Sequence, residues 1–125
     1  ELLAEAGLEF HCDFHDDEMP YPIWVGDKLI VEFPHQYTIN DHRMLDHGSR
    51  QEFFEKFTDE FDYRYKIGRE TPTMMNVITH AYVSSRIPLI DTFERIVAYV
   101  KSHKEVWCAR RGDVAAWARK YYLGG

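Results

Sequence analysis

The sequence lacks most of the features that assign a chain directly to a functional class. It has two cysteines, Cys12 and Cys108, which excludes a disulfide framework, and both are expected to be reduced and buried. It contains no glycine-rich phosphate loop, no Walker motif and no nucleophile elbow. No apolar run approaches the roughly 20 residues that span a bilayer, which argues against a membrane protein.

Positive charge is also scarce. Lys and Arg total 15 against 21 Asp and Glu, so the formal net charge is −6. Because nucleic-acid binding depends on a basic face, this balance argues against nucleic acid as a partner. The one short basic cluster, at positions 110–111 and 119–120, is interpreted as the solvated face of the last helix.

The chain does have the material for a folded core, since 45% of its 125 residues are hydrophobic and 15% are aromatic. Helices are predicted over 2–6, from a capping box at 49–52, from residue 88 and around 114–121. Strands are predicted over 8–13, 29–33, 73–80 and 106–109, with loops over 16–26 and 35–48. Strands that alternate with helices predict a mostly parallel sheet, and four strands are too few to close a barrel.

His80 is the first candidate for chemistry, because it ends the predicted strand 73–80. In parallel β/α proteins the carboxyl ends of the strands face the active site, where a histidine acts as a general acid or base near neutral pH. A lone histidine is more often structural, so both interpretations stay open on the residues alone.

Two other polar segments are weaker candidates. His11 and His15, with Asp13 or Asp17, have the residue types of a metal site but no recognised ligand spacing, and a solvated acidic loop is the alternative. The Asn40–Asp41 pair is interpreted as a turn or a helix N-cap.

Three segments together resemble the polysaccharide deacetylase superfamily, carbohydrate esterase family 4. The first is the C-terminal stretch, in which a strand ending in His80 is followed by a long helix, a Val106–Trp107 strand and a last helix with Trp117. The second is residues 12–21, which resemble an acidic loop ending in Pro-Tyr. The third is residues 34–41, which resemble a Pro-Tyr-Thr…Asn-Asp segment. The last two are typical of the allantoinase-like branch.

The resemblance implies an α/β fold, the C-terminal half of a distorted (β/α) barrel of the polysaccharide deacetylase type. Residues 1–125 would then be the C-terminal part of one catalytic domain, cut within a helix at Glu1, and expected to be inactive without the N-terminal half. The implied reaction is hydrolysis of a non-peptide C–N bond, in an N-acetylated sugar or in a small amide or cyclic ureide such as allantoin. Metal-dependent members bind a divalent cation such as zinc through an Asp and two His. Those ligands are expected in the N-terminal half, and none in this segment.

The resemblance also implies roles for individual residues. His80 is expected to be the general acid that protonates the leaving nitrogen, or to stabilise the oxyanion. Either Asp13 or Asp17 is expected to orient the catalytic arginine and base, and the resemblance does not distinguish between them. The residues expected to contact substrate or to shape its pocket are Asn40, Asp41, Tyr21 and Trp24.

Departures from the family pattern, namely His35 after Pro34, Phe14 in place of Trp and Ala81 after His80, leave the substrate open. The alternative is a non-catalytic, degenerate member of the family or a structural subunit, and a metal-independent enzyme is also compatible. The expected partners are the N-terminal half of the same domain and a small-molecule or sugar substrate. A cytoplasmic homo-oligomer is expected.

Overall fold

The computed structural model describes residues 1–42, 48–87 and 89–124. The helices are α1 (Leu2–Glu5), α2 (Arg50–Ile67), α3 (Ala81–Ser84), α4 (Leu89–Lys101) and α5 (Arg111–Tyr122). The strands are β1 (Phe10–His11), β2 (Tyr21–Val25) and β3 (Lys28–Glu32). Two compact units form, residues 1–35 with 107–125 and residues 36–106, which we call the sheet unit and the helical unit. The mixed α/β class predicted from the sequence is confirmed.

The sheet unit is built on β3, the central strand of the order β1-β3-β2. β1 runs parallel to β3, with Phe10 opposite Val31 and His11 opposite Glu32. β3 is buried from Leu29 to Glu32, as expected for a strand with a neighbour on each side. Helix α5 contacts all three strands and buries Ala115 and Ala118.

The predicted loop over 16–26 is wrong in its second half, because β2 occupies Tyr21–Val25 and pairs antiparallel with β3. The two strands are joined by Gly26 and Asp27, and Gly26 has a φ of +63°, the conformation that tight hairpins require at this point. Pro22 suggested a loop, but β2 lies at the edge of the sheet, where a proline is tolerated. The sheet is therefore mixed rather than mostly parallel.

The helical unit is built on α2, whose predicted start and aromatic stripe are confirmed. The Ser49 hydroxyl accepts the backbone N–H of Glu52 at 3.1 Å, and the Glu52 carboxylate accepts the N–H of Ser49 at 2.6 Å. This reciprocal capping satisfies two N–H groups that a helix start leaves open. The core of the unit consists of Phe53, Phe57 and Phe61 on α2, together with Ile39 and Ile96.

Two predicted strands are wrong or much reduced. In the 73–80 segment only Ile78 forms a bridge, parallel to Asn40, with hydrogen bonds of 3.0 and 3.1 Å. Residues 106–109 form no strand pairing with any other part of the described chain. Cys108 was predicted to be buried, but it lies in this unpaired segment and is exposed, whereas Cys12 is half-buried.

The start predicted for α4 at Pro88 and part of the predicted loop, residues 43–47, lie outside the described residues. Among the helices of the described residues, none combines the length and apolar character needed to cross a bilayer.

Candidate functional site

In the helical unit, His80 is bound to Asp41 by two hydrogen bonds. The parallel bridge between Asn40 and Ile78 brings two chain segments side by side. Asp41 and His80, which follow the bridge on the two segments, therefore lie next to each other. Asp41 Oδ2 accepts the backbone N–H of His80 at 2.8 Å, and Asp41 Oδ1 lies 2.6 Å from Nδ1 of the His80 ring. Ser84, on α3, donates its hydroxyl to Asp41 Oδ2 at 2.5 Å.

Asp41 is completely buried, and its environment favours the carboxylate. Burial alone raises the pKa of Asp41. The hydrogen bonds from the Ser84 hydroxyl and from the ring and backbone of His80, with the His80 charge, outweigh burial, so the pKa of Asp41 lies below its ordinary value. Asp41 thus provides a fixed negative charge beside the imidazole.

The Asp41 carboxylate also sets the proton position on His80. Because a carboxylate only accepts hydrogen bonds, Nδ1 of His80 is the protonated nitrogen, and Nε2 is the ring atom left for a second partner. The His80 side chain is 33% exposed, so the ring is accessible from outside the unit. An imidazole oriented in this way can donate or accept a proton through Nε2.

His42 and Tyr82 also lie at this site, although the sequence analysis gave neither a role. The ring centroids of His42 and His80 are 4.1 Å apart, and His42 Nε2 is hydrogen-bonded to the hydroxyl of Tyr82. The Asn40 side-chain oxygen accepts the backbone N–H of His42 at 3.0 Å, which confirms the turn predicted at Asn40. The sequence contains no signal that connects His42 with His80. Ser84 could have been predicted to lie near His80, because it follows His80 by four residues, about one turn of a helix.

The acidic loop lies in the sheet unit, where its two candidate aspartates differ in environment. Asp17 Oδ1 accepts the backbone N–H groups of Glu18 and Met19 at 2.6 and 3.0 Å, so this carboxylate stabilises its own turn. The Asp13 side chain is 81% exposed, and its Oδ2 lies 3.1 Å from Nε2 of His11.

The aromatic candidates are on β2, in the same unit. The Tyr21 hydroxyl donates to the Asp16 carboxylate at 2.9 Å, and burial, with the neighbouring Asp16, raises the pKa of Tyr21 to about 12. Trp24 is 52% exposed. His80, Asn40 and Asp41 therefore belong to the helical unit, whereas the acidic loop, Tyr21 and Trp24 belong to the sheet unit.

Glu32 is a further candidate, which no pattern in the sequence predicted. It ends β3 with no exposed surface, and its carboxylate accepts from His11 Nδ1 at 2.6 Å and from the Phe14 backbone N–H at 3.0 Å. A glutamate at the end of an apolar strand is usually exposed, so nothing in the sequence predicted that Glu32 is buried.

The His11 and His15 pair does not fit a metal ion. Both nitrogens of His11 face carboxylates, while His15 Nδ1 lies 3.2 Å from the carbonyl oxygen of His35. In the described part of the chain, His, Cys, Asp and Glu side chains form no group of three or more that would bind a metal. No metal-dependent step is therefore assigned to these residues.

Three solved structures resemble the chain over most of its length. Puue allantoinase is 30% identical, with a TM-score of 0.86, over 94% of this chain and 41% of its own. A probable polysaccharide deacetylase from Pseudomonas aeruginosa PAO1 is 28% identical, with a TM-score of 0.87, over 95% of this chain and 41% of its own. A third structure, from Mycobacterium smegmatis, has a TM-score of 0.83 at 23% identity, which supports the fold alone.

No family model matches the chain, and neither does any curated protein. The solved structures nevertheless confirm the resemblance found in the sequence, to the polysaccharide deacetylase superfamily and its allantoinase-like branch. The chain spans 41% of the length of the two structures named first.

Proposed function

We propose that this chain is the C-terminal part of a single catalytic domain that hydrolyses non-peptide C–N bonds. The observation that supports this most strongly is the structural similarity to Puue allantoinase and to a polysaccharide deacetylase, at 30% and 28% identity over nearly the whole chain. The two neighbours point to two substrate classes, a cyclic ureide such as allantoin and an N-acetylated sugar.

In this proposal the complete fold is a distorted (β/α) barrel, and this chain contributes the C-terminal half. The parallel pairing of β1 with β3 is the pairing that such a barrel uses. The partner is the N-terminal half of the same domain, which would contribute any divalent-metal ligands, and the chain by itself would be inactive. A cytoplasmic location and a homo-oligomeric state stay predictions.

His80 is proposed as the general acid. When the scissile C–N bond breaks, the departing nitrogen takes a proton, and His80 Nε2 is the atom that would donate it. The buried Asp41 carboxylate supports this role because it fixes the ring through Nδ1 and stabilises the imidazolium form. Stabilisation of the developing oxyanion by the same nitrogen is the second possible role.

Asp41 was expected to contact substrate, but its three hydrogen bonds and complete burial favour a positioning role. Asn40 remains a proposed substrate contact, because it adjoins this pair. Trp24, which is half exposed, and the ring of Tyr21, whose hydroxyl is engaged by Asp16, are proposed to line the substrate pocket.

Asp13 is the better candidate for the orienting carboxylate of the acidic loop. The Asp17 carboxylate accepts hydrogen bonds from the loop backbone, whereas the Asp13 side chain is mostly exposed and has one oxygen against His11. We assign the role to Asp13 on this difference.

The test uses the complete protein and measures ring opening of allantoin and acetate release from N-acetylglucosamine oligomers, each with and without added zinc. We expect hydrolysis of one probe, and His80→Asn is expected to lower turnover by on the order of 100-fold or more without unfolding the protein. His103→Asn, at a histidine that follows α4 and has no role in the proposed site, is the matched control. A folded wild-type protein that hydrolyses neither probe would favour the non-catalytic alternative.

A further inference from the structure

Glu32 is a buried ionisable residue that has no role in the proposed reaction. It occupies the last position of the central strand β3 and has no exposed surface. Removal of a carboxylate from water costs free energy unless charged or polar partners compensate for the lost hydration. An apolar residue could occupy this buried position of the sheet without that cost. The contacts of Glu32 show what compensates its burial.

The partners of Glu32 lie in one short segment. Oε2 of Glu32 is 2.6 Å from His11 Nδ1, and Oε1 accepts the Phe14 backbone N–H at 3.0 Å. These two contacts lie on either side of Asp13 in the sequence. The segment leaves the sheet at the end of β1, so the two contacts fix the backbone at the point where a loop would otherwise be free to move.

His11 extends this arrangement to Asp13. Its Nε2 lies 3.1 Å from Oδ2 of Asp13, opposite to the nitrogen that faces Glu32. Because both carboxylates accept hydrogen bonds, the contacts are satisfied when the ring has a proton on each nitrogen. The result is a chain of three side chains, from a buried carboxylate through an imidazole to an exposed carboxylate.

We propose that Glu32 is a positioning residue that fixes the orientation of the Asp13 carboxylate through His11. This inference rests on the proposed function, in which Asp13 is the orienting carboxylate of the acidic loop. An 81% exposed aspartate has many side-chain conformations, and its contact with an anchored imidazole restricts them. Asp17 has no such anchor among its described contacts, since its hydrogen bonds are to the adjacent backbone.

Catalysis is the first readout, in the complete protein with allantoin and N-acetylglucosamine oligomers as probes. Glu32→Gln preserves shape but removes the charge, and it is expected to lower kcat by roughly 10- to 100-fold with little change in KM, as expected for a misplaced group. Asp13→Asn is expected to have a similar effect. Because Glu32 acts through Asp13, the double variant is expected to be no slower than the slower single variant.

The second readout does not depend on activity. The ring ¹⁵N and ¹H resonances of His11 are assigned by comparison with His11→Gln. Glu32→Gln is expected to shift the Nδ1 resonance, and Asp13→Asn is expected to shift Nε2. Glu60→Gln, which alters a carboxylate paired with Arg64 in the helical unit, is the matched control and is expected to change neither kcat nor the His11 ring.

Several results would overturn the positioning role. They are wild-type kcat in Glu32→Gln, multiplying losses in the double variant, or a His11 Nε2 resonance unaffected by Asp13→Asn. If Glu32→Gln does not fold, His11→Gln interrupts the same chain at its centre, and wild-type kcat in that variant would be equally decisive. A wild-type protein inactive on both probes contradicts the proposed function, while the His11 resonances still decide whether Glu32 positions Asp13.

Discussion

Nδ1 of His80 lies 2.6 Å from Oδ1 of Asp41, although 38 residues separate the two positions in the chain. One parallel bridge, between Asn40 and Ile78, is the local structure that aligns them. The pair is therefore a product of tertiary structure, and its chemistry depends on which ring nitrogen has the proton. Asp41 determines that by accepting at Nδ1.

Replacement of Asp41 by Asn should therefore impair turnover more than substrate binding. The amide can present its NH₂ group to the ring, which would favour the wrong tautomer and would remove the charge that stabilises an imidazolium. In the complete protein we expect kcat to fall by on the order of 100- to 10,000-fold, the range of a lost general acid, with KM little changed. Asp59→Asn, at an exposed position of α2, is the control and should leave kcat unchanged. A small loss in the Asp41 variant would mean that His80 needs no partner.

The depressed pKa of Asp41 also predicts a pH dependence of stability. A carboxyl group whose pKa is lower in the folded state stabilises the fold above its unfolded pKa, and that contribution disappears as the pH falls through the folded pKa. The ordinary value is 3.8, so the contribution is complete near neutral pH and is lost below about pH 4. Urea titrations of wild type and Asp41→Asn between pH 7 and pH 3 measure this directly. Their difference in free energy of unfolding should narrow on acidification, and a constant difference would contradict the lowered pKa.

Tyr82 offers a test of whether His42 matters to the site. Tyr82 is 57% exposed, and its hydroxyl contacts His42, whose ring packs against His80. Tyr82→Phe removes the hydroxyl and preserves the ring, so we expect a modest decrease in kcat/KM, below about 10-fold, consistent with the loss of one exposed hydrogen bond. Steady-state kinetics of the complete protein test this, and Tyr63→Phe, on the exposed surface of α2, is the control. An equal loss in both variants would exclude a specific role for Tyr82.

The features that the sequence predicted well are local. The capping box at Ser49 and the aromatic stripe of α2 depend on residues three or four positions apart, and the structure has both. Strand β3 was recognisable because an uninterrupted apolar run suits a strand with two neighbours. The family resemblance could also be recognised from the sequence, because three separate segments matched the family pattern.

What the sequence did not show depends on contacts between distant positions. Nothing near Glu32 indicates that its carboxylate would be buried against His11, and nothing near His42 indicates a neighbour at position 80. The missed strand β2 is a different case, because Gly26-Asp27 between two apolar runs is a recognised hairpin signal. Pro22 obscured it, since a proline argues against a central strand but not against an edge strand.

Alanine is expected to change the stability of the protein in opposite directions at two glycines, Gly26 in the hairpin and Gly112 in α5. Gly26 has a φ of +63°, so alanine would be strained there even though no atom lies within 4 Å of its Cβ. We expect Gly26→Ala to lower the free energy of unfolding by about 1–2 kcal/mol, the difference between the left-handed and ordinary conformations. Gly112, in the first turn of α5, has equal space and no positive φ, so Gly112→Ala should raise it by roughly 0.5–1 kcal/mol. Urea unfolding of the complete protein gives both values, and a stabilised Gly26→Ala variant would contradict the hairpin that places β2 beside β3.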